Sequence, residues 1–207
     1  MEWGEPDLLY RKLCRGIMSE HQRVTEETKV LEGERVLLRQ AVPEDAALLA
    51  KWLNDPDTTR WLLVTPPVSL AWVRRWLKAE MEEPCSRLFM LCTREFVPIG
   101  TVSLSQISHA HKRARVGISI FESEFRARGL GTEAMQLVLD YAFFSLDLNR
   151  VELDVFEHNA YAERSYAKCG FVREGVMREA YIKDGKPINS VLMSVLRHEW
   201  AALHQAH

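Results

Sequence analysis

Along this chain the spacing of apolar positions changes several times, and each change marks an element. The run RVLLRQAV, Arg35 to Val42, is compactly apolar and reads as a strand. Pro43, Glu44 and Asp45 then open a helix through Trp52, with Leu48, Leu49, Trp52 and Leu53 on one side. NDPDTTR, Asn54 to Arg60, ends it with turn residues. Ser69 is placed to cap a second helix, along which Leu70, Val73, Leu77 and Met81 line one face. RLFMLCT and PIGTVSLSQI predict a hairpin around REFVP, and ARVGISIF predicts a third strand. From Thr132 to about Leu146 the chain is apolar almost all round, the pattern of a buried helix. RVELDVF reads as a strand and NAYAERSYAKCG as a short helix. Two last strands, near Phe171 to Tyr181 and Ile188 to Leu196, meet through an Asp184-Gly185 turn.

The resulting order, β-α-α-β-β-β-α-β-α-β-β, predicts one α/β (α+β) domain with a mixed central sheet and helices on both faces. Its expected span is 31–207. Residues 1–30 are expected to be an extension, a short helix or arm, since only Leu9, Leu13 and Ile17 recur at helical spacing there.

Composition narrows the partners. With 207 residues, 47% of them hydrophobic and 27% charged, the chain has the make-up of a globular protein. A formal net charge of -2 provides no global field for nucleic acid or an anionic membrane surface. No apolar run reaches membrane-spanning length, and the N-terminus lacks a basic-then-apolar export pattern, so a cytoplasmic protein is expected. Cys14, Cys85, Cys92 and Cys169 show no ligand-like spacing, which predicts reduced thiols and no metal site.

Candidate chemistry begins at FESEFRARGLGTEAM, Phe121 to Met135. Between a strand and a helix, a connector needs one permissive residue, yet this one carries Gly129 and Gly131. A helix start exposes unpaired N–H groups and a partial positive charge, so glycines there open a seat for phosphate, with Arg126 and Arg128 beside it. The competing reading is a merely permissive turn. Further on, Asn159, Ala162 and Tyr166 fall on one helical face, and Gly170 provides a left-handed helix stop before Phe171. Taken alone, Tyr166 reads better as core, its hydroxyl finding a backbone partner.

Taken together, these two stretches resemble the GCN5-related N-acetyltransferases. Arg126-x-x-Gly129-x-Gly131 is similar to the family's Gln/Arg-x-x-Gly-x-Gly/Ala signature, and Asn159 to Phe171 is similar to its second block. LEGERVLLRQAVPEDAALLAKWLNDPD resembles the N-terminal block of the branch that holds ribosomal-protein alanine and serine N-acetyltransferases. The resemblance runs from about Leu31 to Trp200. It implies that ARVGISIF and RVELDVF are parallel, splayed strands with pantetheine paired between them. It implies acetyl-CoA as co-substrate, its diphosphate wrapped by the main chain of Arg126, Ala127, Arg128, Gly129, Leu130 and Gly131. Thr132 would add a hydroxyl, Asn159 a contact to pantetheine, and the amide of Ile118 a donor to the thioester oxygen. It also implies homodimers as a common assembly.

Direct transfer from thioester to amine is the implied chemistry, with Tyr166 as the general acid that reprotonates the departing sulfur. Relatives often carry glutamate in Ala-Glu-x-Gly as the base; here Arg115 stands there, in Ala114-Arg115-Val116-Gly117. Glu122, nearest the turn, is the first substitute, then Asp154 on the next strand, or solvent; His158 is weaker. The acceptor is a primary amine, foremost a ribosomal-protein N-terminus. The alternatives are a small molecule (polyamine, amino sugar or aminoglycoside) and a non-catalytic CoA-binding sensor. Trp61, Trp72 and Trp76 are candidate pocket walls or core. Asp55 and Asp57 would suit a cationic acceptor, whereas Arg115, if it faces the acceptor, would repel a polyamine.

Overall fold

The computed structural model describes residues 30–205, so the expected extension over residues 1–30, with its helix, lies almost wholly outside the described residues. The domain is built on a sheet that is eight-stranded among the described residues. In chain order come β1 (Leu31–Glu32), β2 (Val36–Gln40), a 3₁₀ turn at Pro43–Asp45, α1 (Ala46–Leu53), α2 (Pro56–Thr59) and α3 (Leu70–Glu82). Then follow β3 (Arg87–Thr93), β4 (Pro98–Ser108), β5 (Arg113–Ile120), α4 (Leu130–Asp140), β6 (Arg150–Phe156) and α5 (Ala160–Lys168). Last are β7 (Val172–Lys183), β8 (Lys186–Leu196) and α6 (Arg197–Gln205). The sheet order is β1-β2-β3-β4-β5-β6-β8-β7. Among the described residues only β5 and β6 are parallel neighbours, which is why a helix must cross between them.

Both faces of the sheet are covered, so β2 buries Val36, Leu37 and Leu38 in succession instead of alternating with polar residues. Val36 and Leu38 join Leu91, Val102, Ala134, Val138 and Trp200 under α4 and α6. Leu37 joins Met90, Leu49, Trp52, Val73 and Leu77 under α1 and α3. The capping expected of Ser69 is present, its hydroxyl accepting from the Trp72 amide at 3.1 Å. Asp184 and Gly185, both at positive φ, join the paired Lys183 and Lys186 in the tight turn their sequence favours.

Several elements depart from expectation. NDPDTTR is more than a turn: Asp55 accepts from the Asp57 amide at 2.9 Å and so caps the short helix α2. The long helix starts at Leu130, two residues early, and ends in a π-helical turn over Tyr141–Ser145, closed by Leu146 N–H donating to the Tyr141 carbonyl. Neither β1 nor α6 was expected. The disulfide state of Cys85 departs from the expectation of four reduced thiols; spacing alone does not reveal pairings that the fold creates. Cys92 and Cys169 are free and buried. Among the described residues no helix is long and apolar enough to cross a membrane.

Arg150 clasps the far side of the sheet. Its guanidinium donates to both carboxylate oxygens of Glu174 at 2.6 and 2.7 Å, to Glu152 at 2.9 Å and to Ser194 at 3.0 Å, tying β6, β7 and β8. Arg150 and the Ser194 hydroxyl hold the Glu174 carboxyl down at about 2. A depressed carboxyl contributes stability above its ordinary pKa and loses it as pH falls through the folded value. Glu174→Gln should therefore lower the urea midpoint at pH 7. Between its ordinary value of about 4.3 and about 2, the variant should lose less further stability than the parent.

Candidate active site

The site begins where the parallel ladder ends. β5 and β6 pair at Arg113 with Arg150, Ala114 with Val151 and Arg115 with Glu152, and no further. Beyond that point β5 keeps its pairing with β4 and β6 keeps its pairing with β8, so the two strands diverge. Alternation along β5 decides which main-chain groups face the gap. The amide of Phe121 donates to Ile99 on the β4 side at 2.9 Å. Ser119 and Gly117 therefore use their main chain on β4, while Val116, Ile118 and Ile120 turn theirs toward the gap. The Ile120 carbonyl agrees, since it accepts from Arg126 Nε at 2.9 Å rather than from β4.

Around this gap lies a cavity of about 790 Å³. At one end it is lined by Arg126, Ala127, Gly129, Gly131, Thr132, Asn159 and Tyr166, and at the other by Asp57, Trp61, Asp154, Phe156 and Tyr181. Ile118 lines it between the two. Glycine has different reasons at the two turn positions. Gly129 sits at φ 79° as the N-cap of α4, a conformation that favours glycine. A Cβ on Gly131 would meet only Ile120 and Ile118 side chains, at 3.5 and 3.9 Å, which is ordinary contact. The protein's own packing therefore does not require glycine at 131, and its bare backbone is open to a ligand. The amides of Leu130, Gly131 and Thr132 have no carbonyl one turn earlier to bond, while the Arg126 amide is taken by the Ser123 carbonyl.

The basic residues beside the turn are tied down. Arg126 donates to the Ile120 and Phe121 carbonyls, at 2.9 and 2.7 Å, fixing the entry to the turn. Arg128 lies over the Phe125 ring at 5.8 Å and does not line the cavity. Arg35 braces the turn from behind, donating to the Arg128 carbonyl at 3.0 Å and to Glu133 at 2.8 Å. Glu133 is raised by burial, but the bonds from the Arg35 and Val36 backbone amides and the Arg35 side chain bring it below its ordinary range. No local sequence signal linked Arg35 to Glu133, because they are 98 residues apart.

Asn159 caps α5, its Oδ1 accepting from the Ala162 amide at 3.2 Å, so its Nδ2 is the group left for a ligand. Tyr166 is half-buried, with its ring edge-on to Phe171 at 6.0 Å, and burial pushes the phenol up to about 12. Cys169 lines the same end, and burial pushes its thiol up to about 11, which keeps it neutral and a poor nucleophile.

Glu122 stands elsewhere. Its carboxylate accepts from the Trp52 indole at 2.7 Å, beside the Trp52–Phe121 ring contact, and it does not line the cavity. The end of β5 bends here, with Phe121 and Glu122 amides both directed at the Ile99 carbonyl. Asp154 does line the cavity. One oxygen pairs with Arg115, and the other accepts from the Tyr181 hydroxyl at 2.6 Å and the Ser190 hydroxyl at 2.9 Å. Arg115 does not itself line the cavity; its charge is matched by Asp154, which does. Of the three tryptophans, Trp61 lines the cavity, while Trp72 and Trp76 stack on each other at 6.3 Å against the α1–α3 core.

A family model described as an acetyltransferase (GNAT) domain matches residues 35–172. The chain belongs to this family. It is accordingly an acetyl-CoA-dependent N-acetyltransferase, and the diverging strands are those of a GNAT domain. An uncharacterized N-acetyltransferase of Bacillus licheniformis is 29% identical over 135 residues, covering 63% of this chain and 75% of that protein. The spermidine N(1)-acetyltransferase of Escherichia coli is 29% identical over 171 residues, covering 82% and 90%. Among solved structures, a GCN5-related N-acetyltransferase from Brucella melitensis has a TM-score of 0.74 at 27% identity, covering 87% and 84%. Vibrio cholerae spermidine N-acetyltransferase, in complex with CoA and spermine, has a TM-score of 0.75 at 24% identity, covering 80% and 98%, a likeness of fold. None of these is named for a ribosomal protein, so the expected branch is replaced by the family as a whole.

The two turn glycines of this GNAT domain should respond differently to alanine. Gly129→Ala should cost about 1–2 kcal/mol, the strain of a left-handed residue. Gly131→Ala, inside the first helical turn, should leave the urea midpoint unchanged or slightly raised.

Proposed function

We propose that this enzyme acetylates the primary amine of a small molecule. One observation carries the choice of acceptor. Lys183, at the end of the β7–β8 hairpin, donates to the carbonyls of Thr59, at 2.6 Å, and Leu62. The hairpin is thereby strapped to the loop between α2 and α3, which roofs the acceptor end of the cleft. A protein N-terminus would have to thread an extended chain under this strap, whereas a small amine fits within the cavity. The likeness to a spermidine acetyltransferase across most of both chains supports the same choice.

In this reading the diphosphate of acetyl-CoA lies against the Ala127–Thr132 main chain, where a helix start favours an anion. Arg126 shapes that seat and adds its charge to it, and Arg128 contributes only a distant charge. Pantetheine pairs with the outward main chain of Val116, Ile118 and Ile120, and Asn159 Nδ2 donates to it. Ile118 N–H serves the thioester oxygen as negative charge develops there. The neutral amine attacks the thioester carbon. A C–N bond forms, the C–S bond breaks, and Tyr166 delivers its proton to the leaving sulfur. The amine's own proton passes to water at the cleft mouth. Glu122 is fixed on Trp52 outside the cleft, and the Asp154 oxygens are already occupied by the Arg115 guanidinium and the Tyr181 and Ser190 hydroxyls. Solvent is the acceptor this leaves, since His158 stacks on Phe156 beside Trp61 and does not line the cleft.

Tyr166→Phe should lower kcat by about 10²-fold or more while acetyl-CoA affinity, read by calorimetry, stays within about twofold. Because the phenol titrates only near about 12, the parent's rate should rise with pH through the amine's own range. Tyr166 should impose no downturn before its own titration. Unchanged kcat in the variant would remove Tyr166 from this role.

The acceptor class is tested by release of free CoA across a panel of small primary amines and N-terminal peptides. Turnover with small amines alone is expected. Turnover with peptides alone would overturn the proposal, and tight CoA binding without turnover on any amine would favour a sensor.

A further inference from the structure

We infer that the acceptor end selects a primary amine carried on a flat aromatic body, in preference to a polyamine, an inference that rests on the small-amine reading above. Four rings contributed by three segments form a continuous series there. Trp61, from the α2–α3 loop, lies 5.4 Å from His158 at an interplanar angle of 30°. His158 stacks on Phe156, at the end of β6, at 5.7 Å and 21°. Phe156 in turn meets Tyr181 of β7 edge-on at 5.9 Å and 63°. Trp61, Phe156 and Tyr181 line the cavity, and the exposed His158, outside the lining, links Trp61 to Phe156. Rings attract one another best in offset and edge-to-face contacts, so a flat aromatic occupant beside Trp61, Phe156 and Tyr181 extends a series already in place.

The charges beside the wall argue against a second ammonium. Two acids line this end, Asp57 and Asp154. Asp154 is already matched by Arg115 and filled by the Tyr181 and Ser190 hydroxyls. Against Asp57 stands Arg60, which lines the cavity and lies over the Trp61 ring at 4.9 Å. Lys183 adds a further cation on the strap. A polyamine would bring its spare ammonium groups into a balanced or cationic neighbourhood, where desolvated charge lacks a partner. An arylalkylamine brings one amine, which must be neutral to react, and a ring that the wall can stack.

The test uses the full-length enzyme with acetyl-CoA and three acceptors: phenethylamine, tyramine and spermidine. The wild-type kcat/KM should be at least about tenfold higher for the two arylalkylamines. Trp61→Ala should cut that preference by raising KM for the arylalkylamines with kcat largely kept. Trp61→Phe should restore most of it, and the ratio of arylalkylamine to spermidine kcat/KM should fall and recover with the two changes. Equal or better turnover of spermidine by the wild type would overturn this inference and leave the small-amine reading standing. Turnover of peptides alone, or of no amine, would remove both. The wild-type comparison decides the matter even where Trp61→Ala does not fold.

Discussion

A ladder between two parallel strands stops at Arg115 and Glu152, and the site depends on that interruption. Buried main-chain N–H and C=O groups require partners. A strand left open inside a domain is therefore tolerated only where a ligand or solvent can complete it. Each strand is held on its other side, β5 by β4 and β6 by β8, so neither can swing across to close the gap. Arg126 fastens the last carbonyls of β5, and Arg150 fastens β6 to its neighbours. The Arg115–Asp154 pair sits where the strands begin to separate and links their side chains there.

From this geometry the division of labour follows. The turn between β5 and α4 offers amides at the outer end of the gap, with Arg35 and Glu133 supporting it from behind. The other end of the cavity carries the rings and the strap formed by Lys183. The first end depends mainly on backbone and the second mainly on side chains. Family membership is therefore readable at the first, and the proposed acceptor selection draws on the second.

What the amino-acid pattern conveyed follows the same division. Ser69 as a cap, Asp184-Gly185 as a turn and Gly170 as a left-handed stop are local chemistry, and each has the form the residues required. The second glycine was legible as an oddity, and its contacts agree that packing does not explain it. Glu122 illustrates the limit: nearness in sequence suggested nearness to the chemistry, but a bend at the end of β5 gave its carboxylate to the Trp52 indole. Arg115 was recognised as an unusual residue, but its orientation depends on strand register, and its partner Asp154 comes from another strand. Lys183 binds carbonyls more than a hundred positions away, beyond the reach of any periodicity. The bracing by Arg35 is illegible for the same reason.

The π-helical turn at Tyr141–Ser145 has a consequence for the chain's tolerance of length change. A bond from Leu146 to Tyr141 encloses one residue more than an α-helical turn does. Excising one residue there would return the turn to ordinary α spacing while α4 and β6 kept their places. The segment is thus a point of slack between the helix and β6, and natural homologues shorter by one residue at this point would be compatible with the same cleft.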